Sequence, residues 1–298
     1  METKPRVLIL LSTYNGEKYL REQLDSIFAQ KDVDVAVFAS DDISTDNTTT
    51  ILEEYSKKYN LKYRVNESNK GFTYNFLDLI YDNVDSDYDY FALSDQDDFW
   101  LDDKIISAIN KLKETNKHFY CSNLTVVDEK LSNPKPMNKF KVKKEDPIPY
   151  ILENICTGCT SVFDKEFIKH LSKHYPKNIY LHDYWLMLVS SFTSSYVYDP
   201  ASHILYRQHG NNQIGSESDS LANYYKKFNT SKSHRWNLIT ELLKGFSDDI
   251  SEDHKKYLNM FLNYKNSFST RTKMLFSRRF RCKTHPFLRK VKLFFKKY

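Results

Sequence analysis

The sequence predicts an α/β protein in which a mostly parallel central sheet is flanked by helices and followed by a helical C-terminal extension. Strand-like and helix-like patterns alternate through the first 127 residues, and this order gives parallel strands joined by right-handed crossovers. The alternation then ends, and from about Leu221 the pattern is helical to the end. With 298 residues, the chain is long enough for one large α/β domain and an appendage.

Five short apolar runs in the first part of the chain predict strands, because each is rich in aliphatic or aromatic residues and bounded by polar ones. Four intervening segments carry apolar residues at helical spacing, as at positions 20, 24, 27 and 28, and predict helices. The second helix is opened by Ser44-Thr45-Asp46, three residue types that favour a helix start. Strand first and then in alternation, the predicted elements are Arg6–Leu11, Glu17–Gln30, Val33–Ala39, Asp46–Tyr59, Leu61–Val65, Gly71–Tyr81, Asp87–Leu93, Leu101–Thr115 and His118–Val127.

Beyond residue 130 the pattern is less regular. Four prolines among lysines, from Pro134 to Pro149, predict an irregular excursion of the chain. The apolar runs and helical patterns that follow predict strands at Thr160–Phe163, Tyr196–Tyr198 and Ile204–Tyr206, and helices at Lys165–Leu171 and Leu181–Phe192.

The charge distribution argues against a nucleic-acid-binding protein. Residues 271–298 hold 11 Lys and Arg and no acid, so the remaining chain carries 33 basic and 39 acidic residues, a net charge of −6. A mildly acidic body of this kind lacks the basic surface that a polynucleotide needs. Four cysteines are too few to crosslink a chain of this size, and we interpret them as reduced thiols of a cytoplasmic protein.

Three polar motifs each follow a predicted strand. They are residues 12–16 (STYNG), residues 40–46 (SDDISTD) and residues 95–98 (DQDD). In open parallel sheets, ligands bind outside the carboxyl ends of the strands. All three motifs are therefore expected to face one crevice.

The glycine content argues against two common ways of binding phosphates. The six glycines form neither a Gly-x-Gly-x-x-Gly motif nor a Walker loop. Their absence disfavours a dinucleotide-dependent oxidoreductase and a P-loop phosphotransferase. A diphosphate bridged by a metal ion is the arrangement that remains.

The acidic motif places Asp95, Asp97 and Asp98 between two apolar runs. Carboxylates this close repel one another, and a hard divalent cation such as Mg²⁺ or Mn²⁺ would offset the repulsion. The alternative is a solvated acidic turn in which Asp98 caps the next helix. The apolar residues on both sides favour the metal site.

Taken together, the motifs resemble glycosyltransferase family 2, whose members are inverting, nucleotide-sugar-dependent enzymes with the GT-A fold. The resemblance rests on residues 12–16, Asp-Asp-x-Ser-Thr-Asp at 41–46, Asn-x-Gly at 69–71 and Asp-x-Asp-Asp-x-Trp at 95–100. Further segments, at 157–159, 182–185 and 206–212, also fit the family, and the last two resemble its bacterial rhamnosyltransferase-like branch.

This resemblance covers roughly residues 5–215. It implies a catalytic domain over residues 1–215 and a helical extension over residues 216–298. Two positions depart from the family pattern: Ile43 stands where glycine is common, and Asp102 where proline is common.

The nucleotide site implied by the resemblance lies in the first motifs. Thr13 and Tyr14 would line the nucleobase pocket, and Asp42, beside Asp41, would accept a hydrogen bond from the pyrimidine. The further residues that it assigns to nucleotide binding are Asn15, Asn69, Gly71, Asp95 and Arg207.

The metal and catalytic roles fall on the later motifs. Asp97 would bind the divalent cation directly, Asp95 would lie near its bound water, and His209 would be a further ligand. Asp183 matches the catalytic base that takes the proton of the acceptor hydroxyl. The alternatives are that Asp183 only caps a helix and that His209 is a surface group.

An acceptor site is implied for Gly158, Cys159, His182 and Trp185. Cys156 and Cys159 form a Cys-x-x-Cys pair, but no second pair stands at zinc spacing. We interpret these thiols as small apolar groups in the floor of that site.

The C-terminal segment 286–298 predicts an amphipathic helix. Its apolar positions 287, 288, 291, 294, 295 and 298 share one helical face, and basic residues occupy the rest. This pattern is typical of a helix that lies on an anionic membrane surface. The alternative is a helix packed on the catalytic domain.

The expected function follows from the resemblance. It is transfer of a sugar from dTDP-rhamnose or a UDP-hexose to a hydroxyl of a growing, lipid-linked bacterial surface polysaccharide. The protein would be cytoplasmic and associated peripherally with the inner face of the cell membrane. The alternative is an inactive carbohydrate-binding or scaffold protein with the same fold.

Overall fold

The computed structural model describes residues 3–137, 146–209, 234–281 and 294–295, and its strands join in one sheet. The strands are β1 (Arg6–Thr13), β2 (Asp34–Asp41), β3 (Leu61–Val65), β4 (Tyr90–Ser94), β5 (Phe99–Trp100), β6 (Phe119–Val127), β7 (Lys135–Pro136), β8 (Val162–Asp164) and β9 (Tyr196–Arg207). Their order in the sheet is β3-β2-β1-β4-β8-β6-β9-β5, and β7 pairs with β6.

Helices flank this sheet and make up most of the described residues 234–281. They are α1 (Leu20–Phe28), α2 (Thr48–Ser56), α3 (Gly71–Tyr81), α4 (Lys104–Thr115), α5 (Lys165–Leu171), α6 (His182–Phe192), α7 (His234–Phe246), α8 (Glu252–Asn263) and α9 (Phe268–Phe276). In the described part of the chain, no helix combines the length and the apolar character needed to cross a membrane.

The parallel half of the sheet confirms the predicted α/β order. Strand β1 lies between β2 and β4 and is parallel to both; Leu11 pairs with Ala39 on one side and Ser94 on the other. Residues 7–11 are buried, which explains the continuous apolar run in β1. Because β1, β2 and β4 are parallel, the loops after them leave the same edge of the sheet.

The other half of the sheet contains the antiparallel strands, and the sheet as a whole is mostly parallel, as predicted. Strand β8 is inserted between β4 and β6 and runs antiparallel to both. Its residues Val162 and Phe163 are buried, so the chain returns to the sheet to cover apolar surface. The pattern of apolar residues in a sequence predicts that a segment is a strand, but it does not predict which other strand that segment pairs with.

The two short strands predicted at Tyr196–Tyr198 and Ile204–Tyr206 are parts of the single strand β9. It runs parallel to β6, with shifts in register around Asn123. Pro200 and its exposed neighbours interrupt the apolar pattern at that point, which explains the predicted break.

Strand β5 was not expected from the sequence. Phe99 and Trp100 pair antiparallel with Leu205 and Ile204 of β9. The pairing therefore brings the acidic motif that precedes β5 beside the carboxyl end of β9.

The described residues form two compact units that alternate along the chain. One contains residues 3–137, 156–172 and 195–209 with the whole sheet, and the other contains residues 146–155, 173–194 and 234–281. The predicted boundary at residues 215 and 216 lies outside the described residues. The grouping differs from that prediction because residues 146–155 and 173–194 join the C-terminal helices.

Contacts within the second unit explain this grouping. Arg279 forms a two-point ion pair with Asp146, at 2.9 and 2.8 Å. The Tyr184 hydroxyl donates to the Tyr150 carbonyl at 2.8 Å, and Trp185 packs against Phe246 with ring centroids 5.9 Å apart.

The predicted helical continuation from Leu221 is described from His234 onward. The tail helix predicted over residues 286–298 lies outside the described residues except for Phe294 and Phe295. The Phe294 ring contacts Phe268 of α9, with centroids 5.9 Å apart.

Candidate active site

The loops after β1 and β2 are tied together by Asp41. Its carboxylate accepts hydrogen bonds from the Thr13 hydroxyl at 2.8 Å, the Ser44 hydroxyl at 2.6 Å and the Ser44 amide at 2.8 Å. Thr13 and Asp41 are both buried. Asp41 therefore fixes the shape of the turn over residues 42–44 as well as the end of β1.

That turn contains Ile43, the residue that departs from the family pattern. Its φ angle is +60°, in the left-handed region that glycine adopts easily and a β-branched residue rarely does. Ile43 therefore adopts the backbone conformation that a glycine would adopt easily at this position. The bonds from Ser44 to Asp41 hold the turn in place despite the strain.

Asp42 holds the N-terminus of α3. Its Oδ1 accepts the Lys70 amide at 2.8 Å and an Asn66 side-chain N–H at 3.0 Å, and its Oδ2 accepts the Gly71 amide at 2.9 Å. Gly71 has a φ angle of +71°, which suits glycine. Asn69 Oδ1 accepts the same Gly71 amide at 3.1 Å. Residues 69–71 and Asp42 are therefore brought together as predicted for one site.

Tyr14 and Asn15 lie on the exposed side of this arrangement. The Asn15 amide donates to Ser44 at 2.8 Å, and Asn15 Oδ1 accepts the Thr45 amide at 2.8 Å. The Tyr14 side chain is 44% exposed. A ring held at the edge of the crevice offers a face on which a nucleobase can stack.

The metal end of the site follows β4. Asp97 Oδ2 lies 2.8 Å from His209 Nε2, so the acidic motif and the residue after β9 meet directly. Burial raises the pKa of Asp97, and the hydrogen bond to His209 and its charge act in the opposite direction. Carboxylates and an imidazole are ligand types that suit Mn²⁺. Asp97 and His209 meet directly, but Asp95 groups with Asp98 and Cys159, so the predicted set of three metal ligands stays a prediction.

Arg207 is engaged by protein groups. Its Nε donates to the Asp97 carbonyl at 2.9 Å, and its terminal nitrogens contact Glu22 and the Glu129 carbonyl. The guanidinium lies over the Tyr19 ring at 4.6 Å. The diphosphate contact predicted for Arg207 stays a prediction, and it would require the guanidinium to leave Glu22.

The predicted alternative, a solvated turn with Asp98 as helix cap, is wrong. Asp98 is fully buried, and the residue before the first turn of α4 is Asp103. Asp98 Oδ1 accepts the Arg207 amide at 3.2 Å and so connects the acidic motif to β9. Burial raises the pKa of Asp98 well above its usual value, with the charges of Asp97 and Asp95 adding to the shift.

A second possible metal-ligand group consists of Asp95, Asp98 and Cys159, whose ligand atoms lie within 4.8 Å of one another. Burial raises the pKa of the Cys159 thiol, so the thiol stays protonated. A protonated thiol is a poor ligand for Mg²⁺ or Mn²⁺, which prefer oxygen. None of the three cysteines among the described residues forms a disulfide, and Cys282 lies outside them.

Lys104 was not singled out from the sequence. It is buried in the first turn of α4, and its amine lies 3.6 Å from the centre of the Trp100 ring. Burial lowers the pKa of Lys104 to about 8, while Cys159 and Asp98 act in the opposite direction. The sequence shows that Lys104 lies four residues after Trp100, but it gives no sign that the Lys104 amine is buried.

The residues predicted for catalysis and for the acceptor are divided between the two units. Gly158 and Cys159 lie in a buried 3-10 turn of the first unit. Asp183 belongs to the second unit, in the first turn of α6, and is 8% exposed; the cap position before that turn is Leu181. Its predicted role as a base stays a prediction.

His182 and Trp185 are also buried in that helix. Burial lowers the pKa of His182 to about 3, so its ring is neutral. The Trp185 ring is closed off from solvent. It packs against Phe246 and His174, and its predicted role on the acceptor side stays a prediction.

Comparison with known sequences shows which proteins this chain is similar to. The sequence profile described as "Glycosyl transferase family 2" matches residues 8–172. Over 253 residues, the chain is 38% identical to dTDP-rhamnosyl transferase RfbG of Shigella flexneri, a match that covers 80% of this chain and 85% of that protein. A 65-residue stretch is 42% identical to poly(ribitol-phosphate) beta-N-acetylglucosaminyltransferase TarS of Staphylococcus aureus, covering 21% of this chain and 11% of TarS.

Solved structures share the fold. Residues 1–349 of S. aureus TarS in complex with UDP-GlcNAc match with a TM-score of 0.60 and 18% identity, over 92% of this chain and 76% of that one. The mannosyltransferase PcManGT of Pyrobaculum calidifontis, in complex with GDP-Man and Mn²⁺, matches with a TM-score of 0.54 and 13% identity, over 99% and 87%.

Proposed function

This chain belongs to glycosyltransferase family 2 and has the GT-A fold, and we propose that it transfers rhamnose from dTDP-rhamnose to a hydroxyl of a growing bacterial surface polysaccharide. The observation that carries the choice of donor is the 38% identity to a dTDP-rhamnosyl transferase over 80% of the chain. A UDP-hexose is the second candidate donor, because a structure with the same fold binds UDP-GlcNAc.

We assign the nucleobase to the edge formed by Tyr14, Asp41 and Asp42. Each carboxylate has about four lone-pair positions and already accepts three hydrogen bonds from the protein. About one position on Asp42 is left for a pyrimidine N–H, whereas Asp41 is fully buried and shapes the turn beside it. The exposed Tyr14 ring would stack on the base, with Thr13, Asn15, Asn69 and Gly71 shaping the pocket.

We assign a divalent cation, Mn²⁺ or Mg²⁺, to Asp97 and His209, with Asp95 as the third proposed ligand. When bound, the cation supplies positive charge that stabilises the diphosphate leaving group. Arg207 holds the Asp97 carbonyl, and Asp98 holds the Arg207 amide. These two bonds keep the proposed ligands of the acidic motif and of the segment after β9 at a fixed separation.

We assign the general base to Asp183. In the proposed step, the acceptor oxygen forms a bond to the anomeric carbon while the bond from that carbon to the diphosphate oxygen breaks. The acceptor proton passes to the Asp183 carboxylate, and dTDP leaves with the electron pair. A single displacement of this kind inverts the anomeric centre. The neutral His182 beside Asp183 adds no positive charge that would make the carboxylate a weaker base.

The acceptor and the location are further parts of the proposal. We propose a lipid-linked glycan acceptor and a cytoplasmic protein bound peripherally to the inner face of the cell membrane. Residues 271–298, with 11 basic and no acidic residues, support this because anionic lipid attracts such a segment.

Nucleotide-sugar hydrolysis tests the proposal against an inactive carbohydrate-binding or scaffold protein with the same fold. The purified protein is incubated with dTDP-rhamnose, UDP-glucose, UDP-galactose or UDP-GlcNAc, with Mn²⁺, Mg²⁺ or a chelator, and released nucleoside diphosphate is measured. We expect release from dTDP-rhamnose that needs the metal. Release from a UDP-sugar alone would change the donor. Calorimetric binding of dTDP with no release or transfer would favour the scaffold.

A further inference from the structure

Gln96 holds the backbone of Tyr14 at two points. Its Oε1 accepts the Tyr14 N–H at 2.8 Å, and its Nε2 donates to the Tyr14 carbonyl at 2.9 Å. One side chain therefore satisfies both backbone hydrogen-bonding groups of a residue 82 positions away. Gln96 itself stands between Asp95 and Asp97, in the loop that carries the proposed metal ligands.

Gly16 makes room for this contact. A Cβ atom at Gly16 would come within 2.5 Å of the Gln96 Cδ and closer still to its Oε1. The Gly16 amide donates to the Thr48 hydroxyl at 2.8 Å, which ties its backbone to the start of α2. The absence of a Cβ at Gly16 leaves room for the Gln96 amide, whereas a larger residue would force that side chain to shift.

The loop over residues 14–16 is thus joined to both ends of the site. Asn15 and Gly16 bond to residues 44–48 on the nucleobase side, whereas Tyr14 bonds to the metal side through Gln96. A nucleoside diphosphate likewise carries a base at one end and a diphosphate at the other, and the distance between these two groups varies only within a limited range. A loop already held at the right separation loses less entropy when such a ligand binds.

We infer that Gln96 is a positioning residue that fixes the stacking ring of Tyr14 relative to the metal ligand Asp97, and that Gly16 is required because it admits the Gln96 side chain. The inference rests on the proposed function, since it concerns binding of the nucleoside diphosphate. Gln96 acts through Tyr14 and touches neither the base nor the sugar. Its loss should weaken donor binding and leave kcat nearly unchanged.

The test is a double-mutant cycle with Gln96→Ala, Gly16→Ala and the double variant. Calorimetry with dTDP and Mn²⁺ measures the Kd, and steady-state assays separate KM from kcat. Each single variant should raise the Kd by about tenfold, because a loop released from Gln96 must be ordered when the ligand binds. The double variant should also lose about tenfold rather than about a hundredfold, because removal of Gln96 makes room for the new methyl group. Asn60→Ala, an exposed amide at the amino end of β3, is the matched control.

Thermal unfolding of the same four proteins tests the contact without any ligand. Gly16→Ala should lower the Tm in the wild-type background and much less in the Gln96→Ala background. Wild-type dTDP affinity in Gln96→Ala, or single losses that multiply in the double variant, would overturn the inference. If the wild-type protein binds no nucleoside diphosphate, the proposed function fails, and a coupled Tm would then show that the contact is purely structural.

Discussion

Asp97 and His209 face each other with 2.8 Å between the carboxylate Oδ2 and the imidazole Nε2, although 112 residues separate them in the chain. Asp97 comes from the loop between β4 and β5, and His209 follows the end of β9. The pairing of β5 with β9 creates this meeting, because it brings both segments to the same edge of the sheet.

Replacement of Asp97 by asparagine should abolish metal-dependent donor binding. The amide keeps the shape of the side chain but removes the charge that attracts a divalent cation. Calorimetry with dTDP in the presence of Mn²⁺ or a chelator measures the effect, and Asp32→Asn, an exposed carboxylate of the same unit, is the control. An unchanged response to Mn²⁺ in Asp97→Asn would remove Asp97 from the metal site.

Replacement of Asp183 by asparagine should leave the Kd for dTDP nearly unchanged and lower kcat by at least about a hundredfold. The base acts only when the acceptor attacks, so its loss belongs to turnover. Rates with a glycan acceptor measure the effect, and Asp248→Asn supplies an exposed control in the same unit. Near-normal transfer by Asp183→Asn would show that another group takes the proton.

Because of Lys104, the free energy of unfolding should change with pH in the alkaline range. Burial lowers the pKa of Lys104 from 10.5 to about 8, so between these values the unfolded chain binds more protons than the folded protein. The free energy of unfolding should therefore rise with pH above about 8, by at most about 1.4 kcal/mol per pH unit.

Lys104→Met removes this contribution because it has no amine. Urea unfolding of both proteins at pH 7.5, 8.5 and 9.5 measures the difference in their free energies of unfolding, which cancels groups common to both. The wild type should gain on the variant as pH rises. Parallel curves would mean that the Lys104 amine titrates normally in the folded protein.

Two variants at the strained turn of Ile43 should differ in their free energy of unfolding. Ile43→Gly should be more stable than Ile43→Ala by about 1 kcal/mol, because a φ angle of +60° is costly for any residue with a Cβ. Both variants lose the same branched side chain, so their comparison isolates the backbone. Urea unfolding measures it, and a more stable alanine variant would show that the turn relaxes to a negative φ.

Deletion of residues 284–298 should release the protein from vesicles of anionic phospholipid while dTDP binding persists. The deletion removes five of the 11 basic residues of the C-terminal segment, each contributing about 1 kcal/mol near an anionic surface. Cosedimentation measures the effect, neutral vesicles are the control, and added salt should weaken binding of the intact protein.

Two other outcomes of this deletion are informative. Continued sedimentation with anionic vesicles would place the membrane contact elsewhere in the chain. A large drop in Tm would instead support the packed-helix alternative, since the deletion also removes Phe294, which contacts Phe268.

Much of the first unit could be predicted because its signals are local. A continuous apolar run predicts a buried strand, and polar residues at its end predict where a ligand binds; both are visible for residues 7–16 and 90–98. At Ile43, by contrast, the sequence showed only a departure from a common glycine, and the φ angle of +60° is known from the structure alone.

The contacts that shape the site depend on which distant segments meet. The sequence by itself determined the α/β order, the parallel strands β1 to β4, the family motifs and the acidic cluster. Only the tertiary structure decided that β8 enters the sheet beside β4, that Arg207 is engaged with Glu22, that Gln96 holds Tyr14 and that Asp98 is buried. The physical reason is one of range. The spacing of apolar residues and the preferences of turn residues depend on a few neighbouring positions. These contacts instead form between residues far apart in the sequence, which come close together only when the chain folds.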